Sequence, residues 1–314
     1  MAATLFVASA ALSYRPSYRP AAPQVHRGVV ATGPARASAR MQLLLDNAAE
    51  PTLESFAVAG PPAIYPQRAA APSSKPVFLY LPGIEMTGYS LHRQVAALEE
   101  DFEVRWLATS PTDRTNLTGL ADVVQAAIED EHAASGRPTY VCGESFGGVL
   151  ALFVALRDAK RGPPTGLAGL ALINPATSVA RSWPAQLPAL LEALEDLPAG
   201  LSTPAYQAIA TPIFAAISGD PLQLGGRAAD DKLPWPLRPA VALSRLTAQL
   251  PLIGELPAAF PLPTLAYRLS MLLGGAELVD ALPLSRLTLP VELIASTDDK
   301  VLACGLHLIA LDCT

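Results

Sequence analysis

The residues best suited to chemistry lie at positions 143–148, Gly-Glu-Ser-Phe-Gly-Gly. A short apolar run, residues 139–142, precedes them, and a longer apolar run, residues 149–156, follows. A strand, a G-x-S-x-G turn and a helix in this order are typical of the nucleophile elbow of serine-dependent acyl-transfer enzymes. Such a turn is strained and holds the serine hydroxyl at the carboxyl end of the sheet. The segment predicts a nucleophile at Ser145, although a glycine-rich turn without chemistry has the same pattern.

Acyl transfer by serine also needs an oxyanion hole, a base and an acid that orients the base. One oxyanion donor is predicted to be the backbone N–H of Phe146, the residue after the nucleophile. The second is expected from the loop after an earlier strand, here residues 81–88. Gly83 permits a sharp turn in that loop, so the N–H of Ile84 is the predicted donor. An ordinary Pro-Gly turn is the alternative interpretation.

The acid is expected after a late strand, which residues 290–295 predict. Asp298 and Asp299 both follow this strand, and the spacing favours Asp299, with Asp298 facing solvent. A pair of aspartates at the end of a strand is also an ordinary signal for the start of a helix. Asp299 is therefore the predicted acid, with a helix cap as the alternative.

The base is the missing part of the predicted machinery. The chain order in such enzymes is serine, acid, histidine, and only His307 follows Asp299. His307 lies eight residues after Asp299, and if residues 305–311 are helical this separation is roughly 12 Å along the helix axis, with His307 pointing away from the ends of the strands. His92 and His132 are interpreted as solvated residues on polar helix faces. We therefore expect no base within the chain.

Alternating strands and helices must position these residues. Continuous apolar runs predict strands that are buried on both faces, and apolar residues at helical spacing predict the helices between them. Strands are predicted at residues 77–81, 103–107, 139–142, 167–173 and 290–295, and helices at residues 91–98, 117–131 and 149–156. This alternation predicts an α/β fold with a mainly parallel sheet.

The regions outside this pattern differ in composition. Residues 1–45 contain five arginines and no Asp or Glu, which predicts a plastid transit peptide, with a disordered tail as the alternative. Residues 46–75 are Pro- and Ala-rich and predict a linker or an edge strand. The predicted core spans residues 76–182 and returns at residues 289–314. Residues 183–288, rich in Leu, Ala and Pro, predict a cap of short helices, either an apolar lid over a long-chain substrate or simple packing.

The overall composition limits the function further. The chain has 314 residues, 51% of them hydrophobic, and a net charge of −6, which gives no basic footprint for a nucleic acid. Its three cysteines lack metal-ligand spacing, so we expect a reduced compartment, no disulfide framework and no metal. Cys142 is interpreted as a small buried residue. The sequence has no run of about 18 consecutive apolar residues that would predict a membrane span.

Several further motifs occur in a specific order along the chain. They are Leu-Pro-Gly at 81–83, Asp-Arg-Thr at 113–115, the elbow, Asn-Pro-Ala-Thr-Ser at 174–178 with Arg-Ser at 181–182, Gly-Asp-Pro at 219–221, and Ala-Ser at 295–296 with Asp299. Over about residues 77–306 this set resembles the N-terminal α/β-hydrolase portion of the plant and algal phytyl ester synthase/diacylglycerol acyltransferase family.

The resemblance implies an α/β-hydrolase fold with a helical cap insertion. It also implies transfer of fatty acyl groups to phytol or diacylglycerol, from galactolipid, acyl-carrier-protein or CoA donors, without a cofactor. It places the protein in the chloroplast, at plastoglobules or thylakoids, in peripheral contact with lipid. Ser145 maps to the nucleophile and Asp299 to the acid, while Ile84 and Phe146 map to the oxyanion positions. Hydrolysis of carboxylesters or thioesters is the alternative activity.

Two features depart from the family pattern. Members continue with a last strand, the catalytic histidine and a second acyltransferase-like region, and the position that is usually proline after the acid loop is Ala303. We expect either a truncated gene model or a naturally shortened relative that is impaired in catalysis and binds lipid.

Overall fold

The computed structural model describes residues 58–66, 73–162, 166–181, 183–217, 257–258 and 260–295. The strands are β1 Ala63–Tyr65, β2 Val77–Leu81, β3 Glu103–Ala108, β4 Thr139–Glu144, β5 Leu167–Ile173 and β6 Val291–Ile294. The α-helices are α1 Val95–Leu98, α2 Leu117–Ser135, α3 Phe146–Arg161, α4 Leu187–Glu195, α5 Ala199–Ile217 and α6 Leu262–Asp280. Short 3₁₀ helices lie at Tyr89–Leu91, Ala176–Arg181, Trp183–Gln186 and Leu284–Arg286. The predicted transit peptide, the Gly-Asp-Pro motif, Asp299 and His307 lie outside the described residues.

The six strands form one sheet in the order β1-β3-β2-β4-β5-β6. Strand β1 pairs antiparallel with β3, and every other neighbouring pair is parallel. The predicted mainly parallel α/β sheet is therefore confirmed. Within residues 46–75, the three residues of β1 form an edge strand, which is the second of the two alternatives for that segment.

Strand β2 lies in the centre of the sheet, and all five of its residues are buried. Leu79 and Leu81 join the hydrophobic core on one face, together with α2 and α3. Phe78 and Tyr80 join a smaller core on the other face, against α1. Because both faces of β2 are covered, a polar side chain on either face would be buried. The sequence of β2 is therefore a continuous apolar run and not an alternation of polar and apolar residues.

The helices before the elbow differ in how well the sequence predicts them. Helix α2 begins after Asn116, whose side chain accepts a hydrogen bond of 2.9 Å from the Gly119 N–H, and it extends past residue 131 to Ser135. The single helix predicted over residues 91–98 is wrong, because a 3₁₀ turn and the one-turn helix α1 occupy this stretch. Hydrogen bonds between residues three apart tighten the chain there, and Leu91 and Leu98 are still buried.

The described parts of residues 183–288 are helical, as predicted, and contain no strand. Helices α5 and α6 have 19 residues each, so the expectation of short helices is wrong for these two. Helix α6 packs against α4 and also against α3, the helix that follows the elbow. No helix in the described part of the chain is long and apolar enough to span a membrane. The role of this region as a lid stays a prediction.

Candidate active site

Ser145 lies at the turn between β4 and α3 in a conformation that is rare for residues other than glycine. Its φ is 52° and its ψ is −113°, and it occupies the position immediately before the helix. Its N–H donates to the Ile173 carbonyl at 2.9 Å, and its carbonyl accepts from the N–H groups of Gly148 and Ala176, both at 3.0 Å. Hydrogen bonds to two neighbouring segments therefore hold the strained serine in place.

Glycines surround Ser145 because the backbones approach one another too closely for side chains. A Cβ atom at Gly143 would lie 2.3 Å from the Gly147 carbonyl oxygen, and one at Gly147 would lie 1.9 Å from the Leu81 carbonyl oxygen. The first contact joins the strand to the helix that follows it. The second joins the helix to the end of β2, so the glycines of the G-x-S-x-G motif also pack the elbow against the neighbouring strand.

The Asn-Pro-Ala motif after β5 completes the elbow. A Cβ atom at Gly148 would lie 2.6 Å from Pro175 Cβ, so the proline packs directly on the first turn of α3. Asn174 has a φ of 41°, which turns the chain so that the Ala176 N–H reaches the Ser145 carbonyl. This motif therefore serves the position of Ser145, although it is 29 residues further along the chain.

The loop after β2 lies beside Ser145 because of the register of the sheet. Leu81 at the end of β2 is opposite Gly143 in β4, so both strands end side by side. A Cβ atom at Gly83 would lie 3.7 Å from Ser145 Cβ. The Gly83 carbonyl accepts a hydrogen bond of 3.1 Å from the Met86 N–H, which closes a tight turn over residues 83–86.

The structure brings three of the four predicted site residues together. Ser145 and Phe146 are adjacent, and Ile84 follows Gly83 in the loop beside them. Within the described segments, neither the Ile84 N–H nor the Phe146 N–H donates to another group of the chain. The Phe146 N–H directly follows Ser145 and the Ile84 N–H belongs to the loop beside it, so both are candidates for oxyanion donors, and their assignment stays a prediction.

Asp299, the fourth predicted residue, lies outside the described residues. The strand that leads toward it, β6, pairs with β5, with Ile294 opposite Ile173. The Asn174 N–H also donates to the Ile294 carbonyl at 2.8 Å. The carboxyl end of β6 therefore lies at the same edge of the sheet as the elbow, with β5 between β6 and β4. The role of Asp299 stays a prediction.

Two histidines and one cysteine near these elements are packed against other residues of the fold. His92 and His132 are half-buried, so their interpretation as solvated residues is wrong. His132 is packed against Gly166, where a Cβ atom would lie 2.6 Å from His132 Cβ. Cys142 is buried, as expected, and burial followed by the charge of Glu144 raises the pKa of its thiol. A thiol in this environment is unreactive.

A buried polar network that includes Glu85, in the loop after β2, was missed by sequence reasoning. Ser90 Oγ donates to Glu85 Oε1 at 2.8 Å and lies 2.7 Å from the Tyr80 hydroxyl, which itself donates to Glu144. Glu85 is 1% exposed. Burial, and then the charge of Glu144, raise the pKa of Glu85 to about 7. The sequence did contain one signal for this network, namely the acidic residue Glu85 directly after the predicted donor Ile84.

Arg268 on α6 was also missed. Its side chain is buried, and it donates to the carbonyls of Ile84 and Glu85 in the loop after β2. Arg268 is the only charged residue between Glu255 and Glu277 in the sequence. A lone charge in an apolar helix is a signal for a buried and bonded side chain, because an unpaired charge there would be costly.

Comparisons with known proteins agree with the motif set. No protein-family model matches the chain. Phytyl ester synthase 1, chloroplastic, of Arabidopsis thaliana is 36% identical over 202 residues, which are 64% of this chain and 27% of that protein. Phytyl ester synthase 2, chloroplastic, of the same plant is 32% identical over 207 residues, 65% of this chain and 28% of that protein. The predicted resemblance is confirmed, and the match spans little more than a quarter of the relatives' length.

Solved structures with a similar fold are hydrolases of low sequence identity. An α/β hydrolase fold protein from Burkholderia ambifaria is 17% identical, with a TM-score of 0.45 over 73% of this chain and 76% of that one. A hydrolase from Pseudomonas aeruginosa is 18% identical, with a TM-score of 0.44 over 77% and 78% of the two chains. The mainly parallel sheet and the elbow after β4 give the chain the predicted α/β-hydrolase fold.

Proposed function

We propose that the protein is a serine-dependent acyltransferase or esterase that forms an acyl-enzyme at Ser145. The observation that carries the proposal is the strained backbone of Ser145, with a φ of 52°, next to the loop of Ile84 and directly before Phe146, whose N–H groups donate to no other group within the described residues. Backbone strain in a non-glycine residue persists only where its surroundings fix it, and it is concentrated at functional sites. Homology to two proteins named phytyl ester synthases supports acyl chemistry at this position.

The reaction has two steps of the same type. The Ser145 oxygen forms a bond to the carbonyl carbon of an acyl donor, and the C–O or C–S bond to the donor's alcohol or thiol breaks. The hydroxyl proton of Ser145 would pass to that leaving group through a base oriented by Asp299, a role for which the sequence predicts no residue of this chain. An acceptor alcohol then attacks the acyl-enzyme, releasing the ester and returning the proton to Ser145. The N–H groups of Ile84 and Phe146 would stabilise the oxyanion in both steps.

We propose a fatty acyl group as the transferred unit and phytol or diacylglycerol as the acceptor, with a galactolipid, acyl-carrier-protein or CoA thioester as the donor. The names of the relatives support an ester of phytol formed in the chloroplast, and we propose the same location here. Among the described residues of the predicted cap, four large apolar side chains are exposed: Leu190, Leu201 and Leu278 on helices, and Leu197 between α4 and α5. Exposed apolar residues of this kind suit contact with a lipid surface such as a plastoglobule or thylakoid.

Labelling with a fluorophosphonate probe tests the proposal. The Ser145 oxygen would bond to phosphorus as the P–F bond breaks, releasing fluoride, and we expect one label per chain at Ser145. Ser145→Ala should abolish labelling, whereas Ser270→Ala, on an exposed part of α6, should retain it. A folded protein that takes up no label would overturn the proposal. Lipid binding that survives Ser145→Ala would then identify a non-catalytic lipid-binding relative.

Transfer and hydrolysis are separated by the products. With a fatty acyl thioester and phytol, a transferase forms phytyl ester, while a carboxylester or thioester hydrolase releases free fatty acid. Exclusion of water from the acyl-enzyme decides between them, because water competes with the acceptor alcohol for the same intermediate. We expect phytyl ester to form in excess of free acid, and free acid alone would identify the hydrolase.

A further inference from the structure

Arg268 bridges three segments that meet at the carboxyl ends of the central strands. From α6, its Nη1 donates to the carbonyls of Ile84 at 3.3 Å and Glu85 at 3.1 Å. Its Nη2 donates to Thr109 Oγ1 at 2.8 Å and to the Ser110 carbonyl at 2.9 Å. The first pair of acceptors lies in the loop after β2, and the second pair lies in the loop after β3. One side chain therefore ties a helix of the predicted cap to both loops.

All four acceptors of Arg268 are neutral, although the side chain is only 3% exposed. The carboxylates that act on it through their charge are Asp113, in the Asp-Arg-Thr motif, and Glu85. Its guanidinium also lies 5.6 Å from the centre of the Phe260 ring. Burial lowers the pKa of Arg268 to about 10, so it stays charged at neutral pH. A buried cation is costly to keep, and its four aligned bonds indicate that it fixes the geometry of what it bonds.

The geometry that Arg268 fixes is that of the predicted oxyanion turn. The turn over residues 83–86 is closed by the bond from the Met86 N–H to the Gly83 carbonyl. The Met86 carbonyl in turn accepts from the Thr109 N–H at 2.8 Å, which joins it to the second loop. The peptide planes on both sides of Glu85 are held by Arg268. With these planes fixed, the peptide between Gly83 and Ile84 has one orientation. Its carbonyl, that of Gly83, points toward the Met86 N–H. The Ile84 N–H of the same peptide therefore points the opposite way, because the carbonyl and the N–H of a trans peptide are antiparallel.

We propose that Arg268 is a positioning residue of the acyl-transfer site, holding the Gly83–Met86 turn so that the Ile84 N–H faces the oxyanion that forms at Ser145. This inference rests on the function proposed above. Arg268 also joins α6 to the loop after β3, where the Asp113 carboxylate of the Asp-Arg-Thr motif acts on it through its charge. Arg268 itself touches no reacting atom.

The experiment compares Arg268→Met and Arg268→Lys with the wild type and with Arg161→Met. Arg161 pairs with Glu129 on the surface, where both side chains are about half exposed, so its replacement is the matched control. The first measurement is the second-order rate constant of fluorophosphonate labelling at Ser145. A misplaced oxyanion donor should lower it by about 10- to 100-fold in Arg268→Met. Arg268→Lys should retain part of the rate, and Arg161→Met all of it.

The second measurement is amide hydrogen exchange, which needs no catalysis. In Arg268→Met, exchange in a peptide covering residues 82–88 should rise by at least about 10-fold, while peptides from α2 and α3 keep the wild-type rate. Guanidinium ion added at millimolar concentration to Arg268→Ala should restore both labelling and protection. If Arg268→Met does not fold, Thr109→Val removes one acceptor of Arg268 at similar volume, and labelling should fall a few-fold.

The outcomes separate the two proposals. Wild-type protein that is not labelled would overturn the proposed function, and hydrogen exchange would then decide alone whether Arg268 orders the turn. Wild-type protein that is labelled, with Arg268→Met labelled at the same rate, would overturn the role of Arg268. The role of Arg268 would also be overturned if Arg268→Met lost protection from hydrogen exchange evenly over the chain and guanidinium gave no rescue. That pattern is expected of a residue that only stabilises the fold.

Discussion

A Cβ atom on Gly147 would lie 1.9 Å from the carbonyl oxygen of Leu81, so the first turn of α3 is in direct backbone contact with the end of β2. These two residues belong to different motifs, the elbow and the Leu-Pro-Gly loop. Their contact sets the distance between Ser145 and the turn over residues 83–86. A side chain at position 147 would force the two apart.

We therefore expect Gly147→Ala to destabilise the protein by several kcal/mol or to prevent folding, because the obstacle is backbone that cannot rotate away. Gly274→Ala in α6 is the matched control, since nothing lies within 4 Å of a Cβ atom there. It should stabilise the protein by about 0.5–1 kcal/mol through helix propensity. Chemical denaturation of both variants measures the difference, and equal stabilities would contradict the close approach.

The strain at Ser145 predicts that two replacements of this serine differ in their effect on the free energy of unfolding. Ser145→Gly and Ser145→Ala both remove the hydroxyl, but only glycine adopts a φ of 52° with a ψ of −113° at little cost. Strain of this kind is worth about 1–3 kcal/mol, less the greater entropy that glycine loses on folding. We expect Ser145→Gly to be more stable than Ser145→Ala by about 1 kcal/mol in urea unfolding. An alanine variant of equal or greater stability would show that the turn is relaxed.

Glu85 predicts a pH dependence of stability that runs opposite to that of most carboxylates. Burial and the charge of Glu144 raise its pKa from 4.5 to about 7 in the folded protein. The folded state therefore binds more protons than the unfolded state between these values, and stability falls as the pH rises through this window. Tyr80, Ser90, Glu144 and Arg268 are the polar and charged groups that act on Glu85.

Glu85→Gln removes this titration while keeping the shape of the side chain. We expect the variant to match the wild type near pH 5 and to exceed it at pH 8 by on the order of 3 kcal/mol. Unfolding by denaturant at intervals from pH 5 to 8 measures the difference, with Glu100→Gln at an exposed position as the control. Parallel curves for wild type and Glu85→Gln would show that Glu85 ionises at an ordinary pH.

Features that depend on residues close together in the sequence were predictable from it, whereas features that depend on residues far apart in the sequence were not. Ser145, its flanking glycines and β2 depend on local pattern, namely strand, turn and helix within about 20 residues, and each was predictable. The position of Ile84 was predictable as well, because the Pro-Gly pair marks where β2 ends. Parallel register then brings Ile84 beside the elbow.

Arg268 and Glu85 were not predictable as parts of one site. Arg268 donates a hydrogen bond to Ile84, which is 184 positions away in the chain. The hydrophobic periodicity of a helix does not indicate which distant loop a lone charged residue on that helix will contact. The 3₁₀ turn at Tyr89–Leu91 was missed for a related reason. Leu91 and Leu98 have helical spacing, yet tertiary packing buries both through two short turns.

A second buried network lies at the opposite end of the sheet, near the amino ends of the strands. Arg137 Nη2 lies 2.7 Å from Glu131 Oε1, and Arg105 Nη2 lies 3.0 Å from Glu131 Oε2. Both arginines also pair with Glu103, and Arg137 donates to the Lys75 carbonyl at 3.0 Å. The Glu131 side chain is 1% exposed. This network joins the end of α2 to β3 and to the start of β2.

Glu131→Gln should destabilise the protein by about 3–5 kcal/mol at pH 7, because it leaves two buried guanidinium groups with the Glu103 carboxylate as the one anion that they still share in this network. Burial alone would raise the pKa of Glu131, but hydrogen bonds from Ser135 and Arg137 and the charges of Arg105 and Arg137 lower it to about 2. The ionised carboxylate therefore contributes stability above its ordinary pKa of 4.5, and this contribution is lost as the pH falls from 4.5 toward 2. The difference between wild type and variant should shrink over that window.

Glu129→Gln provides the comparison for Glu131. Glu129 lies on the same helix and pairs with Arg161, but its side chain is 48% exposed, and such surface pairs contribute about 0–1 kcal/mol. Urea unfolding of both variants at pH 7, 4 and 3 separates the two cases. A loss at Glu131 no greater than that at Glu129 would mean that solvent reaches the network and screens it. We expect a large loss of stability for Glu131→Gln alone, and we expect this loss to become smaller in acid, because the Glu131 carboxylate holds two strands and a helix together only while it is charged.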